Sequence, residues 1–280
     1  MPDQAMEVPE TGEQVHYEVV DQVAVLTLDN PAARNGWNRV MEDRYFSLLD
    51  RADAAEDVRA IVVTGSGGYF CPGLDVSALR DTASGAAPLT REGRRPMHLP
   101  LGVRKPMVAA INGACAGMGL LHALFCDVRF AARGARFSTA YARRGLPADY
   151  GTSWLLPRLM RLDHALDLLL TGRTFDADEA AALGLVTRVV EPGDVLPEAM
   201  AYAGDLARFS SPRSMMAIRH QVYADLSATF DEGMTRTLSL MAQYNRPDNP
   251  DFAEGVASFV ERRAPRFGPI PPDFDLATGR

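Results

Sequence analysis

Apolar residues fall along the chain in two kinds of pattern. Short runs with almost no polar interruption, at residues 23–28, 60–63 and 107–111, are too brief for buried helices. They are rich in Val and Ile, which predicts strands covered on both faces. Val15, Tyr17 and Val19 alternate with polar neighbours as a half-buried strand does. Further strand-like pieces lie at 128–132, 136–141 and 185–190. Elsewhere the apolar positions recur at helical spacing. Asn38 is placed to cap a helix over 39–55, with Val40, Met41, Tyr45, Phe46, Leu48 and Leu49 on its buried side. Residues 153–160, 163–170 and 178–183 read as helices, and from Val195 onward the chain is helical. Amphipathic candidates lie at 214–226, 231–244 and 252–263, divided by Pro212 and a turn at 246–250. Strand–helix alternation followed by a helical C-terminus predicts an α/β core with an all-helical appendage.

One stretch departs from both patterns. Residues 111–127 read I-N-G-A-C-A-G-M-G-L-L-H-A-L-F-C-D, which predicts a strand end, a glycine-rich turn and a buried helix. Glycine permits positive φ and close approach of a ligand or of another backbone. The first amides of a helix have no partner inside it. Gly113, Gly117 and Gly119 therefore fit either a tight turn into a core helix or a site for a developing oxyanion. A second loop of the same kind follows the strand at 60–64, as G-S-G-G and then Y-F-C-P-G-L-D ending at Asp75. Residues 1–14, polar and acidic, read as a mobile tail. Residues 81–95 read as a flexible or partly helical surface segment.

Composition narrows the class. The 280 residues are 47% hydrophobic and 23% charged with a net charge of −7, so no overall basic field invites nucleic acid or anionic lipid. Local basic clusters at 91–95, 143–144 and 262–263 read first as solvated faces. Cys71, Cys115 and Cys126 show no CxxC spacing, so neither a disulfide framework nor a metal site is indicated. With no signal-peptide pattern and no membrane-length apolar run, a cytoplasmic protein is expected.

Taken in order, several segments resemble the crotonase superfamily, the enoyl-CoA hydratase/isomerase family, over about residues 15–268. They are N-P-A-A-R-N from Asn30, I-V-V-T-G from Ile61, F-C-P-G-L-D from Phe70 and K-P-M-V-A-A-I-N-G from Lys105. L-L-L-T-G-R from Leu168, G-L-V from Gly184 and F-V-E-R-R from Phe259 follow. The resemblance implies a spiral core of repeated ββα units over 15–208. It also implies a C-terminal helical domain over 209–280 for trimer formation, the assembly being a trimer or a dimer of trimers. It further implies an acyl-CoA thioester substrate, with coenzyme A entering as part of that substrate and no separate cofactor or metal. The shared step would be stabilisation of an enolate oxyanion by two backbone N–H donors. By position these are Leu74, after Gly73, and Met118, between Gly117 and Gly119. Contacts to CoA would come from Ala33, Arg34, Asn35, Leu74, Asp75, Val76 and Ser77. Arg262 would reach a phosphate as a guanidinium fork can.

The chain also departs from the family. Hydratases of this kind use two glutamates, and their positions are held here by Leu121 and Tyr141. Neither side chain positions water and transfers a proton as a carboxylate does. Asp149, in L-P-A-D-Y-G, matches an aspartate that serves as base or nucleophile in isomerase and dehalogenase members. It is the expected acid/base, against the plainer reading that it fixes its own turn. Leu121 and Tyr141 are then expected to border the acyl group. His122 reads as packing, His98 as a substrate contact at the rim, and Trp154 as core. Double-bond isomerisation is the favoured activity, with atypical hydration or a CoA-binding scaffold as alternatives.

Overall fold

The computed structural model describes residues 13–86 and 93–274. Most of the expected tail and part of the polar segment at 81–95 lie outside the described residues. The two tail residues inside them are held: Glu13 pairs with Arg44 at 2.6 Å, and the Gln14 carbonyl accepts from Asp29 N–H at 2.9 Å.

The uninterrupted apolar runs form one sheet. Its strands β1 (Val15–Val20), β2 (Val23–Leu28), β3 (Ala60–Gly65), β5 (Met107–Ile111), β7 (Val128–Ala132) and β10 (Arg188–Val190) lie side by side in that order. All neighbours are parallel except β1 and β2, a hairpin. Side chains alternate across a strand, and here both faces are covered. Ile61, Val63, Met107, Ala109 and Ile111 enter the main core. Ala60, Val62, Val108 and Ala110 face the other way, against Val195, Ala199, Ala203 and Ala207 of α7 (Val195–Phe209). That i, i+4 row of small residues lets the helix lie close on the sheet.

A second sheet, β4 (Tyr69–Cys71), β6 (Ala114–Ala116), β8 (Arg136–Ser138) and β9 (Phe175–Asp176), runs β4-β6-β8-β9. Strand β3 runs on into β4, β5 into β6 and β7 into β8. Each turn of chain therefore gives one strand to each sheet, and successive turns stack in parallel. This is the expected α/β spiral of repeated ββα units. The expectation of a plain glycine turn at 111–119 is corrected, because β6 is inserted there. Residues 185 and 186 are also outside the ladder, and Thr187 joins it only through its N–H on Arg129 O at 2.9 Å. Leu185 N–H donates to Ala180 O at 2.8 Å instead, so the last strand begins only at Arg188.

Helix α1 (Arg39–Ala54) is capped as expected, the Asn38 side chain accepting from Met41 N–H at 2.9 Å. Val40, expected on its buried side, is exposed, and Glu42 is buried on that side instead. Helices α2 (Val76–Ala83), α3 (Met118–Leu124), α4 (Thr152–Leu159), α5 (Leu162–Thr171) and α6 (Ala177–Ala182) connect the strands. The C-terminal region is helical, with α8 (Pro212–Asp225), α9 (Phe230–Tyr244) and α10 (Pro250–Glu261). Among the described residues no helix is long and apolar enough to cross a membrane.

Candidate active site

The second sheet does the positioning. Its first three strands are parallel neighbours, with Cys71 opposite Cys115 and Ala116 opposite Ser138. Their C-terminal ends therefore emerge together, and the chain leaves them through Gly73-Leu74, Gly117-Met118 and Thr139-Ala140-Tyr141. Gly73 (φ 115°) and Gly117 (φ 48°) both turn through positive φ, which an L side chain rarely adopts. The two loops touch: a Cβ on Gly73 would meet the Ala116 carbonyl oxygen at 3.3 Å and Gly117 Cα at 4.0 Å. Gly119 has a different reason to be glycine. A Cβ there would lie 2.0 Å from the Cys71 carbonyl oxygen, so α3 can start against β4 only without one.

Leu74 forms a parallel bridge with Trp37. In it Trp37 N–H donates to Gly73 O at 2.7 Å and Asp75 N–H to Trp37 O at 2.9 Å. Backbone groups alternate in direction along an extended segment, so the Leu74 N–H is turned away from Trp37. Met118 is the first residue of α3, where an amide has no partner within the helix. Among the described residues neither amide donates to another group. Gly117 N–H, by contrast, is held by Ser138 O at 3.1 Å, which fixes the Ala116–Gly117 peptide, and Gly117 O accepts from Leu121 N–H at 2.9 Å, which holds the next one. The two expected donors are thus brought to adjacent loops at one end of the sheet.

Tyr141 lies just past the end of β8. Its hydroxyl and the Thr152 Oγ1 are 3.0 Å apart, and Thr152, fully buried at the start of α4, donates its N–H to Asp149 O at 2.9 Å. The Asp149 side chain lies beside Tyr141, with its Oδ1 buried and without a hydrogen-bond partner. Burial pushes the Asp149 carboxyl above its ordinary value, the Tyr141 hydroxyl partly opposing this. Burial and the Asp149 charge both push the Tyr141 phenol up. A carboxyl held this way accepts and returns a proton more readily near neutral pH than a free aspartate.

The other expected site residues are distributed as follows. Leu121 is wholly inside the main core. Asn35 is buried with its side chain fully used: it accepts from Asn30 N–H at 2.9 Å and donates to the Ser66 and Tyr69 carbonyls at 3.0 and 2.9 Å. Arg34 is exposed at a left-handed position (φ 55°), with its guanidinium 5.6 Å from the Tyr69 ring centroid, and Ala33 ends the short 3-10 turn before it. Asp75 caps α2, accepting from Ser77 N–H at 2.7 Å and Ser77 Oγ at 2.6 Å. Val76 is exposed. Arg262 ends α10 in the left-handed region. Among the described residues it shares no hydrogen bond or ion pair with residues 33–35 or 74–77. His98 is exposed, and Trp154 is partly buried against the main core. No cluster that could hold a metal occurs among the described residues.

Trp37 and Thr152 were missing from the expected site. For Trp37 a signal existed. It stands just before a helix cap, at the position whose side chain typically reaches the helix's fourth residue. Here its Nε1–H donates to Glu42 at 3.3 Å.

The profile of the enoyl-CoA hydratase/isomerase family matches residues 18–269. The chain belongs to that family. It is 35% identical over 253 residues to the enoyl-CoA hydratase ACTT3 of Alternaria alternata, covering 88% of this chain and 83% of that one. A probable enoyl-CoA hydratase/isomerase from Mycobacterium abscessus has the same fold, with a TM-score of 0.82 at 32% identity over 91% of this chain and 98% of that one. An enoyl-CoA hydratase from Mycobacterium marinum is 45% identical with a TM-score of 0.66, covering 77% of this chain and all (100%) of the other.

Proposed function

We propose that the chain transforms an acyl-CoA thioester through an enolate, and that the reaction is double-bond isomerisation with Asp149 as acid/base. One observation carries the reading: the unpartnered Leu74 and Met118 amides on touching loops. An oxygen placed between them accepts two hydrogen bonds, and it accepts them more strongly as negative charge develops. Removing a single donor of this kind costs about 3 to 4 kcal/mol of transition-state stabilisation.

In the proposed step the Asp149 carboxylate removes a proton from the α-carbon of a 3-enoyl thioester. The electron pair of that C–H bond moves into the enolate, whose oxygen is held by the two amides. The same carboxyl then delivers the proton to the γ-carbon, giving the 2-enoyl thioester with no net gain or loss of electrons. Tyr141, beside Asp149, and Leu121 take the places of two carboxylates, which argues for this proton shuttle over addition of water. Ala33, Arg34, Asn35 and residues 74–77 are the proposed contacts to the CoA portion, mainly through backbone, and Arg262 is its proposed phosphate ligand.

Hydration is the second reading, favoured by one observation: the matched relatives are themselves named hydratases. Parallel assays of 3-enoyl-CoA isomerisation and 2-enoyl-CoA hydration, on the natural chain and on Asp149→Asn, separate the two. Isomerisation lost in Asp149→Asn with CoA affinity retained supports the proposal. Full isomerase activity in that variant refutes the role of Asp149. Hydration alone establishes the second reading, and CoA binding without turnover of either substrate leaves a scaffold. The exposed apolar residues of α9 and α10, among them Phe230 and Phe259, support self-association through the C-terminal helices as a trimer or a dimer of trimers, which sedimentation would measure.

A further inference from the structure

Trp37 touches the Leu74 loop directly, and it touches α3, the helix that Met118 begins, at His122. Its backbone makes the two hydrogen bonds that orient the Leu74 peptide, Trp37 N–H to Gly73 O at 2.7 Å and Asp75 N–H to Trp37 O at 2.9 Å. Its indole lies on the imidazole of His122 with centroids 3.9 Å apart and planes 23° from parallel. His122 stands one turn along α3 from Met118, the other donor. The indole is itself held from two further sides. Tyr45 meets it edge-on at 5.4 Å. Its Nε1–H donates to Glu42, whose buried carboxylate receives both arms of Arg94, at 3.0 and 2.6 Å.

We infer that Trp37 is a positioning residue that sets the orientation of the Leu74 and Met118 amides relative to each other, acting through its backbone bridge on one loop and its stack on His122 of α3 on the other. The inference rests on the oxyanion reading of those amides. The α1 side of the molecule is the fixed reference: Glu42 and Tyr45 lie on that helix, Trp37 is pinned to both, and the two donor loops are referred to it. The two loops already touch at their glycines, and that contact fixes how close they come. It leaves the direction of the Leu74 N–H to the Trp37 bridge and that of the Met118 N–H to α3, whose Leu121 N–H holds Gly117 O at 2.9 Å and whose His122 lies under the indole. A shift of the order of 1 Å in such a pair is enough to lower turnover by about 100-fold.

The test uses the full chain and a saturated thioester, hexanoyl-CoA carrying a 13C carbonyl, which binds without reacting. Its bound carbonyl stretch reports polarisation by the two amides. Trp37→Leu and His122→Leu each remove the stack from one side. His122→Phe keeps an aromatic ring against the indole. The expected result has four parts: a lowered carbonyl frequency on the natural protein, partial return towards the solution value in both Leu variants, kcat reduced roughly 10- to 100-fold with KM little changed, and near-natural behaviour in His122→Phe. Both Leu variants showing the natural carbonyl frequency and kcat, whatever their melting temperatures, would overturn the inference. Should Trp37→Leu fail to fold, His122→Leu decides by the same readout. No frequency shift on the natural protein would refute the oxyanion reading itself, a different failure from a natural shift that the variants leave unchanged.

Discussion

Arg219 of α8 is bound to Asp127, the residue before β7, with its Nε 2.9 Å from Oδ1 and 3.0 Å from Oδ2. Its other nitrogens donate to the Leu101, Val103 and Pro100 carbonyls. One buried guanidinium thus joins a C-terminal helix, the 3-10 turn Leu99–Gly102 and the start of β7. Asp127 is further engaged by Met107 N–H and by the Tyr223 hydroxyl. Arg219→Met leaves a largely enclosed carboxylate and three carbonyls short of donors. Removing one partner of such a pair costs about 3 to 5 kcal/mol. A urea titration is expected to show the midpoint falling by the corresponding amount at similar slope. A loss under about 1 kcal/mol, the range of exposed pairs, would show that water replaces the guanidinium freely.

Gly117 and Gly119 make a matched pair of tests. Alanine at 119 would place its Cβ 2.0 Å from the Cys71 carbonyl oxygen and 2.7 Å from Cys71 Cβ. Backbone must shift, so Gly119→Ala is expected to lose stability by more than the roughly 1 to 3 kcal/mol of ordinary overpacking. Alanine at 117 meets only Gly73 Cα at an ordinary 3.8 Å, and its penalty is the positive φ, about 1 to 3 kcal/mol. Gly117→Ala is therefore expected to fold and to lose turnover through a reoriented Met118 peptide. Circular dichroism melts and kcat, measured on both variants, separate the two effects. The reverse order of stabilities would contradict the packing described.

The three cysteines are fully buried. Burial pushes the thiols of Cys71 and Cys126 up to about 12, against about 8.5 in an unfolded chain. A raised folded value means the stabilisation is whole below the unfolded value and is lost as pH climbs towards 12. Two outcomes follow. Melting temperature is expected to fall above about pH 8.5, and less so with Cys126→Ser than with the natural chain. Labelling by a thiol reagent at pH 8 should proceed only at the rate of global unfolding, and a fast stoichiometric reaction in native buffer would contradict it.

The long parallel strands were legible because a sheet covered on both faces leaves an uninterrupted apolar run, as in residues 60–63 and 107–111. Of the second sheet only β8 was, as the start of the strand-like piece at 136–141, and it ends at Ser138. Its strands are two or three residues long, too short to show a period, and their partners lie far off in sequence, as with Cys71 and Cys115. The candidate site depends on that second sheet, which is why its residues came from resemblance and not from periodicity. Gly117 and Met118 carried a family pattern. The Trp37 bridge to Leu74 and the Tyr141–Thr152 contact are long-range pairings that no local pattern announces. Val40 shows the reverse failure: an apolar residue in a helical row was assigned to the core, while the polar Glu42 took the buried place because Trp37 and Arg94 satisfy it.

Asp149 is where stability and activity are expected to oppose each other. Burial raises its carboxyl above the ordinary value of about 3.9. A group raised in the fold contributes its stabilisation below the unfolded value and loses it as pH rises through the folded one. Ionising Asp149 as pH rises is therefore a net cost to the fold, which the Tyr141 hydroxyl offsets only in part while the buried Oδ1 has no hydrogen bond. Asp149→Asn keeps the shape and removes the charge. Its melting temperature at pH 7 is expected to exceed that of the natural chain, with the gap closing below about pH 4 where both carry a neutral side chain. The same substitution should lower turnover by roughly 100- to 10,000-fold, the range for loss of a positioned acid/base. It should also abolish an acid limb in the kcat/KM profile lying above the usual aspartate range. A variant as active as the natural chain, or one destabilised at pH 7, would return Asp149 to the plain role of holding its own turn.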